Sequence, residues 1–154
     1  MENSDPNNMT VDVSIDDVLK KVYLNSFYRG ERLKDSDNTT AARMQSGSDD
    51  KDILTDELEL AITDVVSIMN RFLGKFIFTK TGDKFSITGR HSVLFPFADI
   101  GATMKASIEA YCVHKVLEGW LLINQPNEVI NISAKVAECA EKLRILFCKR
   151  TKPV

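Results

Sequence analysis

Apolar and polar residues alternate with two different periods along this chain, and the change of period marks its elements. From Ser14 the run SIDDVLKKVYLNSFYRGERLK sets Ile15, Val18, Leu19, Val22, Tyr23 and Phe27 at steps of three and four. That spacing predicts one apolar face of a helix. Ser14 stands where an N-cap hydroxyl belongs, and Asp16 and Asp17 fall in the first turn, where the helix dipole favours anions. Gly30 weakens the far end. The strongest helical pattern is DILTDELELAITDVVSIMNRFLGKF, in which Leu58, Ile62, Val65, Met69, Phe72 and Phe76 form a seam. Gly74 is its natural stop.

The period then falls to two. Phe76 and Phe78 flank Ile77, and Phe85 and Ile87 flank Ser86, with a short turn at Lys80-Thr81-Gly82-Asp83 between the pairs. This predicts a β-hairpin. A lone hairpin is marginal in water, so it has to pack on helices or on a neighbouring chain. A connector follows, with Pro96 between Phe95 and Phe97, and Asp99 is positioned to cap a third helix from about Ile100 to Asn124. Pro126 ends that helix. A last one runs from about Glu128 to Lys149, with Ile132, Val136, Cys139, Leu143 and Leu146 as its seam. The expected fold is mainly α: a four-helix bundle with a β-hairpin inserted between helices 2 and 3.

Two stretches lack periodicity. Residues 1–11 read as a flexible N-terminal arm. The segment DSDNTTAARMQSGSDDKD, from Asp35 to Asp52, carries five Asp against Arg43 and Lys51 and too few apolar residues to offset its ordering entropy. Such a loop is either ordered by a partner or a mobile insertion. Asp35, Arg43, Asp49 and Asp50 are the residues a partner would order. The organisation is then an arm at 1–11, a single helical domain at 12–150 with its acidic loop at 35–52, and a short basic tail at 151–154.

Length and charge narrow the function. With 154 residues the chain makes one domain, and a formal net charge of -2 gives no global basic field to recruit nucleic acid. Three widely spaced cysteines, Cys112, Cys139 and Cys148, do not read as a disulfide framework or as paired zinc ligands; reduced thiols in a cytoplasmic setting are the simplest reading. The polar N-terminus does not resemble a signal peptide, and no apolar run is long enough to span a membrane.

The conspicuous stretch is AYCVHKVLEGWLLINQP, Ala110–Pro126, which holds Cys112, His114 and the single tryptophan. On a helix, residues two apart point about 200° from each other, so Cys112 and His114 cannot form a nucleophile–base pair. No Glu-x-x-His, phosphate-loop or Gly-x-Ser-x-Gly pattern occurs. The tail CKRTKPV is too short for a nucleic-acid motif, and helix-dipole complementarity accounts for part of its charge. The expectation is a non-enzyme with no catalytic residue, metal or cofactor.

What remains is surface. Ala106, Ala110, Val113, Leu117, Trp120 and Leu121 form one stripe of the third helix, and Met104, Ile108, Tyr111 and Cys112 occupy much of the other side. A helix apolar on several sides is either central to its own bundle or covered by another subunit. Phe78, Phe85, Phe95 and Phe97, with Trp120, Leu121, Leu122 and Ile123, are therefore the candidate subunit or partner interface.

The order of LTDELELAITDVVSIMNRFLG, FIFTKTGDKFSITG, IEAYCVHKVLEGWLLINQP and AKVAECAEKLRILFCKR resembles the small head–tail connector (head-completion or adaptor) proteins of tailed bacteriophages, over roughly residues 12–150. The resemblance implies a non-catalytic virion subunit, assembled in the host cytoplasm. It would form a homo-oligomeric ring, a dodecamer by analogy, between the portal and neighbouring connector or tail proteins. DNA would only pass through the lumen, and no membrane would be involved. The alternative is a non-viral helical adaptor or regulatory protein acting through protein–protein contacts.

Overall fold

The computed structural model describes residues 5–33 and 45–151. They form four α-helices and a three-stranded antiparallel sheet: β1 (Asn8–Ser14), α1 (Ile15–Leu33), α2 (Lys51–Phe72), β2 (Gly74–Thr81), β3 (Lys84–His91), α3 (Phe97–Asn124) and α4 (Val129–Phe147). The strand order is β1-β3-β2.

The first strand corrects the reading of residues 8–11 as part of an arm, while residues 1–4 lie outside the described residues. Asn8 to Ser14 pair in register with Arg90 to Lys84, and Met9, Val11 and Val13 are buried in the core. Alternating burial of three apolar side chains, with a full ladder on one side, holds this segment in the fold. The hairpin thus gains a third strand as well as its packing on α2. Its turn is Gly82-Asp83, with Gly82 at φ 62° and Asp83 on the ordinary side of φ, the primed geometry that matches strand twist.

The helical seams lie where the spacing places them. Leu58, Ile62, Val65 and Met69 of α2, and Ile132, Val136, Cys139, Leu143 and Leu146 of α4, are all buried. Helix α3 is 28 residues long and is central, packing against α1, α2 and α4. It begins at Phe97 instead of Ile100, because the amides of Asp99 and Ile100 both donate to the Pro96 carbonyl. Asp99 therefore lies in the first turn and is not its cap. Ser14 does cap α1, accepting the Asp17 amide at 3.3 Å. Phe27 departs from the predicted α1 seam. Ser26 occupies the inward position, donating to the Tyr23 carbonyl at 3.0 Å and meeting the Ser46 hydroxyl at 2.8 Å.

The Ser26–Ser46 contact brings the chain back to α1 and starts the approach to α2. The Gly47 amide donates to the Asp50 carboxylate at 2.8 Å, closing a 3₁₀ turn at Ser48–Asp50 directly before Lys51. Asp49 and Asp50 are therefore part of an ordered turn within the chain, which corrects their assignment to a partner-ordered loop. Asp35 and Arg43 lie outside the described residues.

The basic end is also tied down. Arg150 donates to the carbonyls of Phe147, Lys149 and Phe72, each at 2.7 Å. The Thr151 amide donates to the Leu94 carbonyl at 2.6 Å. Arg150 thereby caps the ends of α4 and α2 together, the location where the helix dipole favours a cation. Residues 152–154 lie outside the described residues.

Candidate interaction surface

The eight candidate interface residues divide into three groups. Phe85, Phe95, Trp120 and Leu121 are buried by their own chain, so they are core, which corrects their assignment as contacts. Phe85 projects inward from the central strand and meets the Phe78 ring edge-on at 6.1 Å. Phe78 and Phe97 are half-buried and packed against the core. Phe95 and Phe97 both turn toward His91, at ring distances of 5.4 and 5.8 Å. Only Leu122 and Ile123, 54% and 59% exposed, lie open at the last turn of α3. Ile130, in the first turn of α4, is 80% exposed. Sequence reasoning missed Ile130, which follows the Pro126 turn at the start of α4.

Burial raises the pKa of Cys112, Tyr111 and Cys139 inside the fold. Cys112 is fully buried, and desolvation pushes its thiol well above the usual range. Burial, then the Asp64 charge, raises Tyr111, whose hydroxyl donates to Asp64 at 3.3 Å. The structure does bring a cysteine to His114, but it is Cys139, with Sγ 3.9 Å from Nδ1. That nitrogen is 2.7 Å from the Ala110 carbonyl, an acceptor, so it carries its proton there and cannot act as base toward sulfur. Burial also raises the Cys139 thiol. The pair therefore has no thiolate character at neutral pH. The Nδ1 of His91 lies 2.7 Å from the Ser92 carbonyl, and its buried Nε2 has no hydrogen-bond partner among the described residues. Among the described residues no three of His, Cys, Asp and Glu gather closely enough to hold a metal ion. Among the described residues no helix is long and apolar enough to cross a membrane.

No family model, curated protein or solved structure matches this chain.

Glu57 of α2 is a carboxylate disturbed by packing. It lies over Gly119 of α3, and desolvation raises its pKa above the ordinary 4.5, with Lys115 opposing. A raised folded-state pKa means the fold prefers the protonated form. Its contribution is fully present below pH 4.5 and is lost as pH rises through the folded value. Glu57→Gln is therefore expected to raise the melting temperature at pH 7, with the difference from wild type vanishing below pH 4.5. Paired thermal melts across that range check the sign.

Proposed function

We propose that the protein is a non-catalytic structural subunit of a tailed-phage virion, forming an oligomeric ring that joins the portal to the tail. Its frame in this reading is a bundle of the four helices with the hairpin inserted between the second and third. The observation that carries the reading is the exposed apolar pair Leu122 and Ile123 at the last turn of α3. Two adjacent large apolar residues at the end of the central helix, left uncovered by the chain, are the kind of surface a neighbouring subunit covers. The order of helix, hairpin and helix pair adds the resemblance to connector proteins.

The test combines Leu122→Glu with Ile123→Glu. Both side chains are exposed, so the fold should be affected by no more than about 0.5 kcal/mol per site. Incorporation onto a tailed-phage portal ring is expected to fall at least about tenfold. Wild-type incorporation by the double variant would remove this pair from the interface and with it the support for the reading.

A further inference from the structure

The exposed pair at the end of α3 extends onto the start of α2. Glu57 lies over Gly119, and Asp64 accepts from Tyr111. The two helices therefore run antiparallel, in a register that brings Ile53, 46% exposed, level with Leu122 and Ile123. Carboxylates rim this apolar surface. Asp49, Asp52 and Asp56 follow one another at steps of three and four, all exposed. None of the three is in an ion pair among the described residues. Lys51 already pairs with Asp16 at 3.5 Å, and Lys80 lines one cleft with Asp52, Asp56 and Asp83, so negative charge is in excess at this end.

The far end of α2, about 30 Å away, is the reverse. Arg150 bonds to the carbonyls of both Phe72 and Phe147 there, so the last turns of α2 and α4 adjoin. Phe72 is half-buried, and Ile145 in the last turn of α4 is 56% exposed. Cations rim this surface. Arg71, Lys75 and Lys149 are exposed and have no carboxylate partner among the described residues; the Arg71 guanidinium sits 6.0 Å from the Phe72 ring. Arg144 is neutralised by Glu141 at 3.0 Å and adds nothing to the excess. Asp99, in the first turn of α3, opposes them from the same end without cancelling them. Each end thus has an apolar centre and a charged rim, and the two rims have opposite sign.

We propose that the acidic end of α2 docks on the basic end of α2 in a second copy, head to tail. Ile53, Leu122 and Ile123 of one copy meet Phe72 and Ile145 of the next, with the carboxylate rim against the cationic one. The contact rests on the ring reading above and deepens it, because it names what covers the exposed pair. Charge fixes the occupant. Joining like ends would set carboxylate against carboxylate or Arg71 against Arg71, which repel. Joining opposite ends gives both rims a complementary partner, and because the two surfaces differ the contact repeats from copy to copy. In a wide ring each subunit meets its neighbours on nearly opposite sides, as the two ends of one helix are placed.

Sedimentation velocity on the full chain at low ionic strength tests this, with circular dichroism melts confirming that each variant is folded. The mean mass of the wild type should climb as concentration rises toward about 1 mM. Salt at about 0.5 M should weaken the association at least about tenfold. Asp52→Lys/Asp56→Lys makes both ends basic, and Arg71→Glu/Lys75→Glu makes both acidic. Each alone should associate at least about tenfold more weakly than wild type, and their equimolar mixture should recover to within about threefold, since unlike copies then alternate. Should a reversal fail to fold, the neutral pairs Asp52→Asn/Asp56→Asn and Arg71→Gln/Lys75→Gln take its place, each with an expected loss of about fivefold. A wild type that stays monomeric throughout, folded variants that associate like wild type, or a mixture that fails to recover would each overturn the contact. Binding of wild type to a tailed-phage portal ring reads the virion proposal separately: a portal-binding chain that stays monomeric alone would lose only the head-to-tail contact.

Discussion

Truncating Phe85 to alanine is expected to destabilise the protein by about 3–5 kcal/mol. The ring is fully buried on the central strand, where it faces Val13 across the β1–β3 ladder and the edge of Phe78. Its removal would leave a void between the sheet and the helices that the flanking strands cannot close, because β3 is paired on both sides. A domain with a stability of about 5–15 kcal/mol would lose a large part of it. Urea denaturation should show a lower midpoint at an unchanged slope. If Phe85 instead belonged to a subunit contact, the isolated chain would keep its midpoint and only assembly would weaken.

A comparable loss, about 3 kcal/mol, is expected for Gly89→Ala. Gly89 sits opposite Phe76 on one side and Met9 on the other. An added Cβ would strike the Lys75 carbonyl oxygen and come within 2.6 Å of the Phe76 ring and 2.8 Å of its Cα. Two of these obstacles are backbone, so relief requires parting β2 from β3. Gly47→Ala is the control, since a Cβ there meets nothing within 4 Å. For a chain of this size the Gly89 variant should melt about 6–12 °C lower, and the Gly47 variant close to wild type. Wild-type melting by Gly89→Ala would show that the close approach of the two strands is misplaced.

The helical part of the fold was legible because its signal is local. The seams of α2 and α4 follow from spacing alone, and each predicted residue within the helices is at least half-buried. Strand β1 was obscured for the opposite reason. MTVDVS alternates with period two, but six residues between a polar start and a helix cap are a weak signal, and their partners in β3 lie seventy or more positions away in sequence. Nothing local announces that pairing. Phe27 fits the spacing of the buried α1 seam, yet it faces out because Ser46, returning from a distant segment, engages Ser26.

The candidate surface was half legible. At 100° per residue, four consecutive side chains from Trp120 to Ile123 cannot share one face. The split into buried Trp120 and Leu121 and open Leu122 and Ile123 is therefore a consequence of helical geometry. The surplus of phenylalanines was misassigned because the sequence does not reveal that His91 is buried with them. Its ring gives Phe95 and Phe97 an internal partner. The Cys139–His114 contact joins residues 25 apart on consecutive helices, so it depends on how α4 turns back at Pro126, which periodicity does not specify.

The central claim is that this chain works by assembling with copies of itself on a portal ring. Native mass measurement of the purified protein, mixed with a tailed-phage portal ring, tests that claim most directly. The account predicts a discrete complex in which many copies add to one portal. A chain that leaves the portal mass unchanged and never appears in purified virions would contradict it.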